Sequence, residues 1–334
     1  MMNNTITDVP GILVGNAQDE NALTGCTVIL CDDGTIGGVD QRGGSPGTRE
    51  TDALRPMHMV ENVHGVLLAG GSAFGLNAAA GVMQYLEEQG RGVNTGVARV
   101  PIVPAAILFD LAIGSAAVRP DAQMAYQACQ NASNGPAEQG NVGAGTGATV
   151  GKILGMGQAM KSGLGSISID IGNGVWVGAI IAVNALGDVK DPSSGKILAG
   201  ARSLQKGPIK LGQPGYFADT MQIMRTFVGR TIVNFASKAN TVIGSVATNA
   251  RLTKDEANKV AQMAHNGLAR TIFPAHTMFD GDTIFALATC KKNADVNIVG
   301  AFAAEAVAMA IIQAVNCAVS AGGLPAANDI KDIV

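Results

Sequence analysis

Apolar and polar positions change period several times along the chain. Thr24 to Cys31 (TGCTVILC) is a β-branched run closed by the turn pair Asp33-Gly34, and it predicts a strand. Gly65 to Ala69 (GVLLA) is a short continuous apolar run, expected as a strand buried on both faces. It leads through Gly70-Gly71 into a helix whose Leu76, Ala79, Ala80, Met83 and Leu86 share one face and which Gly90 ends, with Ser72 as its expected cap.

Further on, Ile167, Ile169 and Ile171 alternate with polar residues, Asn173-Gly174 turns the chain, and Val175 to Val183 returns as a more apolar strand. Alternation around an Asn-Gly pair is a strong hairpin signal. Residues 188–230 are polar and rich in Lys, Gly and Pro, and are expected as an irregular surface excursion ending before Thr231-Ile232-Val233. Thr241 to Thr248 (TVIGSVAT) is another buried strand. Thr253 and Glu256 form a capping box for a helix with Ala257, Val260, Ala261, Ala264 and Leu268 on its apolar face. Thr283 to Ala288 is a further strand, and an Ala-rich helix follows from Val299. Strands and helices do not alternate as βαβ units, so stacked layers of sheets and helices are expected rather than a doubly wound sheet.

Composition narrows the partners. Of 334 residues 47% are apolar but only 4% aromatic, so the core must be aliphatic, and the 44 glycines imply tight turns and close backbones. Charge is sparse, 23 basic against 26 acidic residues, with no basic run. A nucleic-acid partner is not expected, because phosphate binding needs a basic field. Cys26, Cys31, Cys129, Cys290 and Cys317 contain no C-x-x-C pair and read as reduced thiols in a cytoplasmic protein. The first sixteen residues carry no signal-peptide pattern. The uncharged stretch Ala306 to Asn328 is interrupted by Gln313, Asn316 and Ser320, which recur with Glu305 as a narrow polar stripe; a buried helix is expected, not a membrane span.

Familiar motifs fail one by one. Gly143 to Gly147 is not G-x-G-x-x-G, and Gly151-Lys152 is followed by Ile153 and lacks the Walker glycine. Gly70-Gly71-Ser72-Ala73-Phe74 misses G-x-S-x-G at its last position. His58, His64, His265 and His276 form no H-E-x-x-H, and two of them lie in helical or turn contexts that read as structural imidazoles. Asp280-Gly281-Asp282 lacks a calcium loop. No metal and no cofactor is expected. What remains is Asn240-Thr241 at the head of a buried strand, which by itself reads as a loop Asn before a strand residue. Likewise Lys152 reads as a solvated loop lysine, Asn184 as a strand-end residue, and the acidic pair as a turn.

The stretches ANTVIGSVATNARLT and AHNGLARTIFPAHTMFDGDTIFALAT resemble the L-aminopeptidase/D-esterase family, which includes β-peptidyl aminopeptidases, a nylon-oligomer hydrolase and a pantetheine hydrolase. DVPGILVGNA, GGVDQRGG and LAGGSAFGLNAAAGV extend the likeness over nearly the whole chain. The resemblance implies an α+β fold, a four-layer αββα sandwich, made as one precursor over 1–334. Self-cleavage would give a large chain 1–240 and a small chain 241–334 that stay together in a homo-oligomer, a tetramer or higher. It implies cleavage at Asn240-Thr241, with Thr241 as the new N-terminal nucleophile, and small peptides or amides as substrates.

The resemblance also assigns supporting roles. Lys152 would lower the pKa of the Thr241 α-amine, Asn184 would donate to the oxyanion, and Asp280 and Asp282 would orient the amine and hydroxyl. An α-amine titrates at about 7.7–8.0, so Thr241 can serve as its own base. The chain departs from the family at the substrate wall: Phe109 replaces a tyrosine that helps hold the reacting carbonyl, and Ile107 replaces a glutamate that grips a free amine. Two other function classes compete. One is an acyltransferase of the ornithine-acetyltransferase type, against which the missing K-G-x-G-M and A-T-M-L motifs count. The other is a non-catalytic small-molecule binding protein.

Overall fold

Period-two alternation sorts the side chains of two five-stranded sheets into three apolar layers. A computed structural model describes residues 2–204, 215–226 and 240–330. The first sheet contains β1 (Ile12–Asp19), β2 (Thr24–Cys31), β4 (Thr48–Arg49), β5 (Gly65–Ala69) and β6 (Ala105–Ile107), in the order β1-β2-β5-β6-β4. The second contains β3 (Ile36–Gln41), β7 (Leu164–Asp170), β8 (Trp176–Asn184), β9 (Thr241–Ala250) and β10 (Thr283–Lys292), in the order β7-β8-β9-β10-β3.

The inner faces of the two sheets meet through Ile29, Val66, Leu68 and Ala106 on one side and Ile180, Ile243, Phe285 and Leu287 on the other. On the outer face of the first sheet, Val28, Leu30 and Leu67 pack against Val82 and Leu86 of α1 (Ala79–Glu88) and Ala125 and Ala128 of α2 (Ala122–Gln130). On the outer face of the second, Ile181, Val183, Val242 and Val246 pack against α3 (Lys254–Thr271) and α4 (Val296–Asn316). The four layers run helix, sheet, sheet, helix, which is the αββα sandwich that the resemblance implies. Helix α4 is long and apolar enough to cross a membrane, but it lies against α3 and across β7 and β8. An Ala-rich helix with little amphipathicity suits a position covered on several sides.

Local signals explain several elements. β7 and β8 form the expected hairpin, with Ile169 opposite Val177, and Asn173 and Gly174 take φ of +56° and +71° at its turn. The Thr253–Glu256 capping box is present at α3, and Asp295 caps α4. Such a cap contributes about 1 kcal/mol.

Two expectations need correction. Ser72 does not cap α1: Gly71 and Ser72 both take positive φ, and a 3-10 turn over Ser72–Ala78 leads into the helix. The stretch from residue 188 is not irregular throughout, because Asp188–Lys190 and Ile197–Ala199 pair as short strands and Thr220–Arg225 is helical. Thr231-Ile232-Val233 lies outside the described residues.

Candidate active site

Strand β9 pairs antiparallel with β8 and parallel with β10, and this mixed pairing decides where polar groups gather. The antiparallel ladder sets Asn184, the last residue of β8, opposite Thr241, the first of β9. The parallel ladder brings the segment entering β10 to the same end, where Asn240 and Asp280 form a bridge. A third segment arrives from the glycine-rich run. Gly151 takes a φ of +71°, and the N–H groups of Gly151 and Lys152 each donate at 3.0 Å to the carbonyls of Gly187 and Leu186. Lys152 is thereby turned inward and is only 4% exposed, so the solvated loop lysine is excluded.

The Thr241 hydroxyl donates to the carbonyl oxygen of Asn240 at 2.5 Å. The hydroxyl thus lies against the carbonyl of the bond that precedes it, and both residues are buried. One residue on, Val242 N–H donates to Asp282 Oδ1 at 2.8 Å. Asn184 joins three segments. Its Oδ1 accepts from Lys152 Nζ at 2.7 Å and from Thr149 N at 3.1 Å, and its Nδ2 donates to the Phe109 carbonyl at 2.9 Å. One donor of the amide expected to serve an oxyanion is therefore engaged by Phe109.

Burial sets the electrostatics. It pushes Lys152 down to about 7 despite the opposing attraction of Asp280 and Asp110, so near neutral pH the group is shared between ammonium and amine. Asp280 moves up to about 6, first through burial and then through the Asp282 carboxylate. Thr277 N–H donates to Asp280 Oδ2 at 2.6 Å and partly offsets that rise.

The structure thus brings Thr241, Asn240, Lys152, Asn184, Asp280 and Asp282 to one end of the second sheet. Phe109 joins them through its carbonyl, and it lines a small cleft with Ala112, Ile113, Thr149, Lys152 and Met156. Ile107 does not join them. It is buried between the first sheet and its helices and is not among the residues that line this small cleft. Asp110 lines the cleft but is 4% exposed, and its two carboxylate oxygens accept from Thr24 Oγ1 and Gly71 N, each at 2.7 Å.

Two residues escaped the sequence reading. His276 Nδ1 meets Asp282 Oδ2 at 2.9 Å, and its backbone N–H donates to the same oxygen at 3.1 Å, so His276 holds the carboxylate that anchors Val242. Its ring meets that of His265 edge-on, with centroids 4.9 Å apart. The hint was His276 standing six residues before Asp282, which no standard motif captures. Lys161, fully buried, donates to the carbonyls of Gly145 (3.1 Å), Ala148 (3.0 Å) and Ser162. It ties down the glycine-rich loop that carries Thr149. Nothing local to its sequence marks it.

Comparisons with known proteins bear on family and fold. A profile of peptidase family S58 matches residues 4–329. An uncharacterised aminopeptidase of Mycobacterium leprae is 42% identical, covering 96% of this chain and 92% of that protein. A 6-aminohexanoate-oligomer endohydrolase of Kocuria sp. is 32% identical, covering 84% of this chain and 74% of its own. Among solved structures, a β-aminopeptidase of Burkholderia sp. superposes with a TM-score of 0.67 at 22% identity, covering 99% of this chain and 94% of that one. The L-aminopeptidase D-Ala-esterase/amidase of Ochrobactrum anthropi, described as a variant of the Ntn-hydrolase fold, gives 0.70 at 19% identity, covering 97% and 88%.

Proposed function

The chain belongs to peptidase family S58 and is a hydrolase of peptide or amide bonds; we propose that it arms itself by cutting its own Asn240–Thr241 bond and then uses Thr241 on small amides. The observation that carries this reading is the Thr241 hydroxyl lying 2.5 Å from the Asn240 carbonyl oxygen, with Lys152 held on Asn184, the ladder partner of Thr241, and Asp280 bridging Asn240. In the uncut chain the nitrogen of Thr241 is an amide and cannot act as a base. Lys152, brought to about 7 by burial, supplies one. It takes the hydroxyl proton, Oγ1 attacks the Asn240 carbonyl carbon, and the proton passes to the departing nitrogen. Water then hydrolyses the ester. The freed α-amine, with an ordinary pKa of about 7.7–8.0, takes over as base for substrate. Wild-type protein held at pH 8 is expected to give chains of 240 and 94 residues by intact mass. An intact chain after prolonged incubation would sink the reading.

The cleft supports a preference within amides. A protonated amine buried without a carboxylate partner is costly. Phe109, Ala112, Ile113 and Met156 give the cleft an apolar wall, while both oxygens of Asp110 are engaged elsewhere. Substrates with an uncharged group beside the scissile bond are expected to outperform free-amine dipeptides. The comparison is kcat/KM for an aminoacyl p-nitroanilide against its N-acylated counterpart. A tenfold advantage for the free amine would point to an acidic anchor and reverse the preference.

The setting is part of the same proposal. Cys26, Cys31 and Cys129 are buried as thiols, which supports the cytoplasm. Val93, Val97 and Val100 stand exposed on a short hairpin, and Val97 is 95% exposed, which supports a homo-oligomer.

A further inference from the structure

We propose that the backbone N–H of Gly281 is the oxyanion donor of the self-cleavage step, an inference that rests on the Asn240–Thr241 reading above. Gly281 N–H donates to the Asn240 carbonyl oxygen at 3.0 Å, and the Thr241 hydroxyl meets the same oxygen at 2.5 Å. When Oγ1 bonds to the carbonyl carbon, the C=O electron pair moves onto that oxygen, directly in front of this donor. Collapse of the adduct breaks the C–N bond. The proton lost from Oγ1 ends on the Thr241 nitrogen, which leaves as an amine, and Asn240 is left as an ester on Oγ1. A donor held before charge develops is worth more than one that must reorganise.

Gly281 is held in this way. Its neighbour Asp280 bridges Asn240, receives Ser45 N–H on its carbonyl at 2.9 Å, and exchanges hydrogen bonds with Thr277. The position also demands glycine. A Cβ there would stand 2.7 Å from the Ser45 carbonyl oxygen and 2.9 Å from Thr241 Oγ1. A side chain would push the hydroxyl off its carbonyl. One Nδ2 hydrogen of Asn184 goes to the Phe109 carbonyl, whereas the Gly281 N–H is given directly to the Asn240 carbonyl oxygen. Gly281 is thus assigned to the chain's own bond.

The test replaces the N–H by an ester oxygen, Gly281→glycolic acid, introduced by nonsense suppression. Intact mass against time gives the cleavage rate. Removing one such donor is expected to slow cleavage about 100-fold or more. The control is the equivalent ester at Val63, which deletes a buried bond to the Thr35 carbonyl (3.0 Å) that involves none of the site residues. It should cut within about threefold of wild type while losing similar thermal stability. A Gly281 ester that cuts within threefold of wild type, or a Val63 ester that slows as much, overturns the proposal while leaving self-cleavage standing. An uncut wild type overturns both. Amide exchange in the uncut Thr241→Ala chain gives a second measurement that needs no ester. The Gly281 proton is expected to be protected more than 1,000-fold, and free exchange would overturn the assignment.

Discussion

Thr241→Ala is expected to remain a single chain of 334 residues with no measurable turnover, and this is the largest effect in the molecule. The argument is positional. Thr241 opens β9, its hydroxyl lies 2.5 Å from the Asn240 carbonyl oxygen, and its register is fixed by Asn184 on one side and by the Asn240–Asp280 bridge on the other. Removing Oγ1 removes the nucleophile for the chain's own bond and for any later substrate. Thr241→Ser should still cut. It keeps the hydroxyl but loses the β-branch that restricts χ1, and about 1 kcal/mol of added side-chain freedom would slow it roughly fivefold. Intact mass and an amide-hydrolysis assay check both variants. An alanine variant that is processed like wild type would place the nucleophile elsewhere.

Lys152→Met is expected to slow self-cleavage at pH 8 by at least about 100-fold and to remove its pH dependence, as loss of a general base would. In wild type the rate should rise through a midpoint near 7, where burial has brought the Lys152 amine. Stability gives an independent readout, taken in a Thr241→Ala background so that every chain stays whole. The folded pKa of Lys152 is below the value of about 10.4 for an unfolded lysine. Between about 7 and 10 the unfolded chain therefore holds the extra proton. The cost of burying the ammonium is fully present below pH 7 and is relieved as pH rises through that window. Wild type should gain stability on the Met variant between pH 7 and 10, approaching about 1.4 kcal/mol per pH unit. A Met variant that keeps the wild-type pH–rate profile would return Lys152 to a purely structural role.

Much of this was legible in the sequence where local chemistry decides structure. The β7–β8 hairpin follows from alternation around Asn173-Gly174, and the start of α3 follows from Thr253 and Glu256. The Asn240–Thr241 bond and its acidic neighbours were legible by resemblance. Their meeting depends on a parallel pairing between β9 and β10, which no periodicity reveals. Ile107 and its neighbours depend on a change of period that the sequence does not announce. The resemblance places Ile107 and Phe109 at one substrate wall. But β6 ends at Ile107, the alternation stops there, and Phe109 reaches the cleft while Ile107 stays between sheet and helix. His276 and Lys161 act through partners distant in sequence or outside any known spacing, so only the folded chain identifies them.

The strand order of the second sheet has a consequence for the molecule's life history. β9 and β10 lie side by side between β8 and β3, so a cut before Thr241 leaves the smaller piece clamped along both edges by the larger. Release of that piece would mean unzipping two ladders at once and stripping α3 and α4 from their sheet. Folding before the cut is a unimolecular event, in which the chain supplies its own middle strands. After the cut, a molecule that unfolds must find its missing middle in solution, and its recovery depends on concentration. Self-cleavage would thus act as a ratchet: the architecture is assembled once, as a single polymer, and afterwards persists by being slow to open.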